Sequence, residues 1–121
     1  MYRRGPRLFI QDMLTAITKV EKGIEGQTFE TFARLPPLEL DGIVHNIEIM
    51  GEAAKAIPAE IKDAFPDVPW RKMTVFRNFA VHQYFGVDPE VVWTIAAERL
   101  PEVKPHLQRI MDILSNKEEK P

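Results

Sequence analysis

Apolar residues recur at steps of three and four along almost the whole of this chain, a spacing that suits helices and leaves strands little to build on. Phe9, Met13, Ala16, Ile17, Val20 and Ile24 form one stripe on a first helix of roughly four turns. Gly23 and Gly26 then loosen the chain, and Thr28 is suited to cap a short second helix ending near Arg34. Pro36 and Pro37 pre-set a third helix with Leu40, Ile43, Val44, Ile47, Met50, Ala54 and Ile57 on one face, stopped by Pro58. Ala59 to Phe65 supplies one or two more turns before Pro66. Pro69 suits a first helical position, so a further helix is expected from Val68-Pro69-Trp70 until Gly86 ends it in a left-handed cap. Asp88-Pro89-Glu90 is the clearest helix start. Pro101 and Pro105 should split or kink the last region near Leu100. Beyond that point Val103, Leu107, Ile110, Met111 and Leu114 restore the stripe. No strand pair with a hairpin turn, internal repeat or low-complexity block is found. The fold class expected is all-α, a bundle of four to six helices.

Size and charge narrow the function. With 121 residues the chain suits a single domain, 1–121, with one core and flexible ends over 1–7 and 116–121. It has no cysteine, which excludes disulfides and thiolate metal sites. No window approaches the run of about 18 apolar residues that spans a bilayer, and the basic start lacks the apolar segment of a signal peptide. A cytoplasmic, membrane-free protein is expected. The net charge of −2 gives no overall attraction for nucleic acid, so such binding needs a local basic patch or an assembly.

One octapeptide, Arg77-Asn78-Phe79-Ala80-Val81-His82-Gln83-Tyr84, concentrates chemistry at R-x(4)-H-x-Y spacing. The Arg77 guanidinium matches two phosphate oxygens and stays charged at any working pH. His82 titrates near neutrality and can exchange protons with oxygens. Together they suffice for RNA cleavage without a metal. A base takes the ribose 2′-OH proton, that oxygen attacks the adjacent phosphorus, and arginine stabilises the phosphoryl charge. Asn78 and Tyr84 are placed to orient a phosphate or the histidine. DNA lacks the attacking hydroxyl. On one straight helix, five steps of 100° aim His82 about 140° away from Arg77. The spacing therefore favours a two-fold copy of the helix if both groups serve one site.

Taken alone, an R-x(4)-H match also arises by chance in many helices. In that reading Arg77 is solvated or ion-paired, His82 sits near the helix end and Tyr84 is half core.

The wider pattern is more specific. Pro69-Trp70, Arg77-Asn78, His82-x-Tyr84-Phe85, Val87-Asp88 and Val92-Trp93, with Glu48-Ile49-Met50-Gly51-Glu52-Ala53-Ala54 on the third helix, resemble the HepT-like toxin family of the HEPN superfamily. The likeness runs from about Leu8 to about Leu114. It implies an all-helical homodimer acting as a metal-independent endoribonuclease of a toxin–antitoxin system, on tRNA or mRNA and without a cofactor. It also implies catalytic roles for Arg77 and His82 at a dimer cleft. Silencing by an MntA-type nucleotidyltransferase antitoxin that attaches AMP to Tyr84 is implied as well. Such an adduct adds phosphate charge and bulk beside the arginine. Asn78 fits the family pattern; Phe76 stands where a smaller or more flexible residue is expected, which bears on local packing.

Three other groupings need weighing. Asp41, His45, Glu48 and Glu52 lie along one polar stripe of the third helix. A metal site there would need a second such set on a facing helix, so a solvated or interface-facing stripe is the expectation. Glu52 is singled out as a residue to hold Arg77 or His82 in position, against the alternative of an ordinary exposed glutamate. Trp70 and Trp93 suit packing better than base stacking. Arg71 and Lys72 make the start of the motif helix basic, and Arg3, Arg4 and Arg7 either extend that patch or form a solvated tail. Beside the nuclease stands an alternative: a non-catalytic helical partner of a minimal nucleotidyltransferase, which has no need of all three motif side chains. A small-molecule-binding bundle leaves the motif unexplained.

Overall fold

A computed structural model describes residues 5–82 and 86–119. Helix α1 (Pro6–Ile24) starts on Pro6, whose fixed φ suits a first turn. It buries Ile10, Met13, Ala16, Ile17 and Val20, the inner part of the stripe expected from the spacing. Gly26, at φ +75°, turns the chain after the helix. Gly23 is different: it lies within α1, and a Cβ on it would sit 3.1 Å from Ile43 Cγ1. It loosens nothing; its bare backbone lets α1 close on α3.

Helix α2 (Phe29–Ala33) opens with a reciprocal cap, the Thr31 amide donating to the Thr28 hydroxyl and the Thr28 amide to Thr31 Oγ1. Helix α3 (Pro37–Ala56) buries Leu40, Ile43, Val44, Ile47, Met50 and Ala54, with Ile57 buried just after its end. Helix α4 (Ala59–Ala64) is a short connector. Helix α5 (Trp70–Ala80) starts one residue later than its proline suggests, with the Pro69 carbonyl accepting from the Met73 amide at 3.0 Å.

Helix α5 stops at Ala80 instead of running on to Phe85. Val81–His82 (β1) pairs antiparallel with Gly86–Val87 (β2), Val81 opposite Val87 and His82 opposite Gly86. The chain therefore does contain a strand pair, which the sequence pattern did not disclose. Gly86 has the positive φ expected of it, +83°, but it closes this hairpin and caps no helix. Two residues per strand carry no alternation to read.

Asp88 caps α6 (Pro89–Thr94), its Oδ1 accepting from the amides of Glu90 at 3.1 Å and Val91 at 3.4 Å. A π turn over Ile95–Arg99 leads into α7 (Leu100–Glu119), and Thr94, Ile95 and Leu100 all keep right-handed helical dihedrals. The expected split near Leu100 is thus a widened turn within one continuous rod. Pro101 falls just after the π turn, where it takes one N–H out of the rod without breaking it. Pro105, inside α7, removes one helical hydrogen bond without breaking the helix. Counting α6, the π turn and α7 as one rod, the described residues form six helical rods, all-α apart from the small hairpin. Helix reaches into both stretches expected to be flexible ends, at Pro6–Arg7 and up to Glu119.

Helix α1 packs between α3 and α7, α3 packs on α5, and α5 meets α6. One core unites them, with Met13, Ile17, Ile47, Met50, Met73 and Leu107 fully enclosed. Each such side chain contributes about 1.5–3 kcal/mol over an exposed one. Lys104 Nζ meets Glu21 Oε1 at 2.7 Å, joining α7 to α1 at a half-exposed position.

Candidate functional site

Arg77, Asn78 and His82 lie along the backbone where α5 gives way to β1. Arg77 and Asn78 belong to the last turn of α5, and His82 follows in β1, backbone-paired with Gly86. Tyr84 lies outside the described residues. The 140° separation assumed a straight helix through His82; the helix ends first, so the hairpin governs where His82 stands. The angular argument for a two-fold partner lapses with that premise.

What brings α3 to this junction is Gly51. A Cβ there would lie 3.1 Å from the Met73 carbonyl oxygen and 3.2 Å from that of Thr74. The bare glycine lets the two helix backbones approach closely. The next residue, Glu52, then faces the final turn of α5. A hollow of about 340 Å³ results, lined by Glu48, Glu52, Lys55, Thr74, Val75 and Asn78. Glu52 and Asn78 are both exposed in it, so two of the residues singled out by sequence share one cavity. Lys55 and Thr74 were not anticipated. Lys55 falls three positions after Glu52 on α3, a helical neighbour spacing that was available as a signal. Thr74 donates its hydroxyl to the Trp70 carbonyl at 3.0 Å.

Along the α3 stripe, Asp41, His45 and Glu52 are exposed and Glu48 half-buried. Among the described residues, no group of three or more histidines, cysteines or acids is arranged to hold a metal ion. The tryptophans are packing residues. Trp70 is buried and donates its indole N–H to the Phe65 carbonyl at 3.0 Å. Trp93 packs on Phe32, ring centres 5.2 Å apart, and edge-on to Phe29 at 6.5 Å. Phe76 fits the core without difficulty at 6% exposure. Arg71 and Lys72 are exposed on α5, and Arg7 is half-buried in the first turn of α1; Arg3 and Arg4 lie outside the described residues. None of the described helices is long and apolar enough to cross a membrane.

Known proteins resemble this chain in sequence. The sequence profile described as ribonuclease HepT-like matches residues 13–110. A Thermococcus cleftensis protein named "Probable ribonuclease HepT" is 32% identical over 108 residues, covering 89% of this chain and 97% of its own. Two Methanocaldococcus jannaschii proteins named "Putative RNase MJ1216" and "Putative RNase MJ0125" are each 29% identical, over 98% and 97% of this chain and 98% and 100% of their own. No solved structure matches significantly. The matched span takes in most of α1, all of α5 with its hairpin, and most of α7; the chain belongs to the ribonuclease HepT-like family, and its activity class is that of a ribonuclease.

Proposed function

We propose that this ribonuclease is a toxin-type endonuclease that cuts RNA by internal attack of a ribose 2′-OH, without a metal ion, through Arg77 and His82. The observation carrying the reading is the short path of the motif: Arg77 and Asn78 stand in the last turn of α5, which ends at Ala80, and His82 follows in the strand paired with Gly86. His82 removes the 2′-OH proton. The freed oxygen bonds to phosphorus while the phosphorus–O5′ bond breaks, and a protonated imidazole returns a proton to the departing 5′ oxygen. Arg77 offsets the charge that grows on the non-bridging oxygens. The products are a 2′,3′-cyclic phosphate and a 5′-hydroxyl. Asn78 and Tyr84 assist with phosphate orientation, and Glu52, across the hollow from Asn78, holds the arginine or histidine in place.

The active form in this proposal is a cytoplasmic homodimer. Its net charge is unfavourable for RNA, and pairing two subunits at the junction concentrates Arg71, Lys72 and Arg77 into one positive groove. Control comes from a partner nucleotidyltransferase of the MntA type. AMP on Tyr84 sets phosphate and bulk beside Arg77 and blocks RNA.

The test is cleavage of tRNA and mRNA in EDTA by the purified protein, His82→Ala and Arg77→Ala. Each variant should lose about 10²–10⁴-fold in rate, the range for a general base or a transition-state donor, and the product ends should be cyclic phosphates. An unmodified protein that leaves every RNA intact points to the non-catalytic partner of a nucleotidyltransferase. Intact mass after incubation with the partner and ATP should show AMP additions, absent from Tyr84→Phe.

A further inference from the structure

We infer that a second cavity, on the side of α5 that faces α7, is a subsite for one nucleotide of the RNA flanking the cut. This deepens the nuclease reading and rests on it. The cavity measures about 440 Å³, within the roughly 300–1,000 Å³ of small-ligand sites. It is lined by Asp67, Lys72, Phe76, Arg99, Glu102 and His106 among others, and none of these belongs to the motif or to the Glu52 hollow.

The walls come from three separate places in the chain. Lys72 and Phe76 lie four apart on α5, so they share a face. Arg99 ends the π turn, and Glu102 and His106 follow on α7 at spacings of three and seven from it, again one face. A π turn costs helical regularity and recurs at functional sites; here it delivers Arg99 to the cavity mouth. Arg99 Nη1 stands 3.4 Å from Glu102 Oε1, with the two side chains 51% and 66% exposed. A pair this open gives up its arginine readily to a phosphate.

Chemistry selects the occupant. Lys72 and Arg99 balance Asp67 and Glu102, so the cavity offers no large positive excess. A triphosphate would be poorly compensated there. One phosphodiester suits it: Lys72 and Arg99 take the phosphate oxygens, the carboxylates accept from ribose hydroxyls or a base amino group, and Phe76 supplies an apolar floor. Phe76 also immediately precedes Arg77 on α5, about 100° round the helix from it, so RNA that fills this cavity follows the surface of α5 to reach the reacting arginine.

Two measurements on the full chain test this. First, amide spectra of His82→Ala, chosen to remove the proposed base, are recorded with 5′-AMP and separately with inorganic phosphate. Shifts should centre on Lys72, Phe76, Arg99 and His106 for AMP, and Lys72→Glu introduced into the same protein should weaken AMP at least tenfold. Because this arm needs no cleavage, it reports on the subsite even if the nuclease reading fails. Second, in cleavage of a short RNA, Arg99→Ala, outside the basic groove of α5, should raise KM about tenfold with kcat held within about twofold. The Arg99 change should also lower the slope of log KM against log salt by about one. A structural defect would instead lower kcat and melting temperature together. AMP shifts confined to other residues overturn the subsite. So does AMP binding with an unchanged KM for RNA, which would make the cavity a free-nucleotide site.

Discussion

Gly51 of α3 meets the backbone of α5 so closely that a Cβ on it would sit 3.1 Å from the Met73 carbonyl oxygen. Backbone cannot swing aside as a side-chain tip can, so the helices must part to admit even one methyl group. Gly51→Ala should destabilise the protein by about 1–3 kcal/mol, the usual cost of overpacking. It should also slow RNA cleavage, because α3 carries Glu52. Gly42, on the same helix with nothing within 4 Å of its Cβ position, is the control. Gly42→Ala should stabilise by about 0.5–1 kcal/mol. Thermal unfolding of both variants checks this; equal shifts of the same sign would remove the close-approach argument.

Gly86 is a different case, a glycine needed for its angles. Its φ of +83° is strained for side-chain-bearing residues, yet open space surrounds its Cβ position. Gly86→Ala should therefore cost about 1–2 kcal/mol through backbone strain alone. Gly86→Asn should cost less, since asparagine tolerates positive φ. The hairpin partner of Gly86 is His82, so cleavage should fall in the order of strain. Identical activity in both variants would detach the hairpin from the chemistry.

Asp88 accepts from the Glu90 and Val91 amides, and Asp88→Ala leaves both without that partner. A loss of about 1 kcal/mol is expected, typical of an N-cap. Denaturant melts should show a lower midpoint with an unchanged slope. Asp88→Asn retains an accepting oxygen and should recover most of the loss.

Glu52 is exposed yet shares a hollow with Asn78. If it holds Arg77 or His82 in position, Glu52→Gln should lower kcat for RNA about tenfold or more, in line with about 1.5–3 kcal/mol for a charge-assisted hydrogen bond. Melting temperature should stay level, since an exposed side chain contributes little to stability. Wild-type turnover by Glu52→Gln would return this residue to ordinary surface.

Local signals were legible where a few neighbouring residues suffice. The Thr28 and Asp88 caps, the long stripe on α3 and the positive φ of Gly86 follow from side-chain chemistry within one turn. The HepT-like resemblance was legible because its motifs are short and separated. The end of α5 was not. Phe76, Ala80 and Tyr84 fall at steps of four, a spacing that suits another helical turn, and the competing hairpin draws on hydrogen bonds to Gly86–Val87 that a helical wheel does not contain. Pro101 and Pro105 likewise suggested a break, whereas a π turn and core packing by Leu100, Val103 and Leu107 keep the rod continuous.

By itself the order of amino acids settled that this chain is helical, where most helices begin, and which family it joins. Those depend on near-neighbour spacing, capping oxygens and motif identity. Tertiary packing alone decided that Glu52 stands across from Asn78, that His82 leaves the helix, and that Lys72 shares a cavity with Arg99 and His106. Each of these juxtapositions joins residues far apart in the chain or sets packing against local propensity, and how closely two backbones approach is fixed only when both are folded.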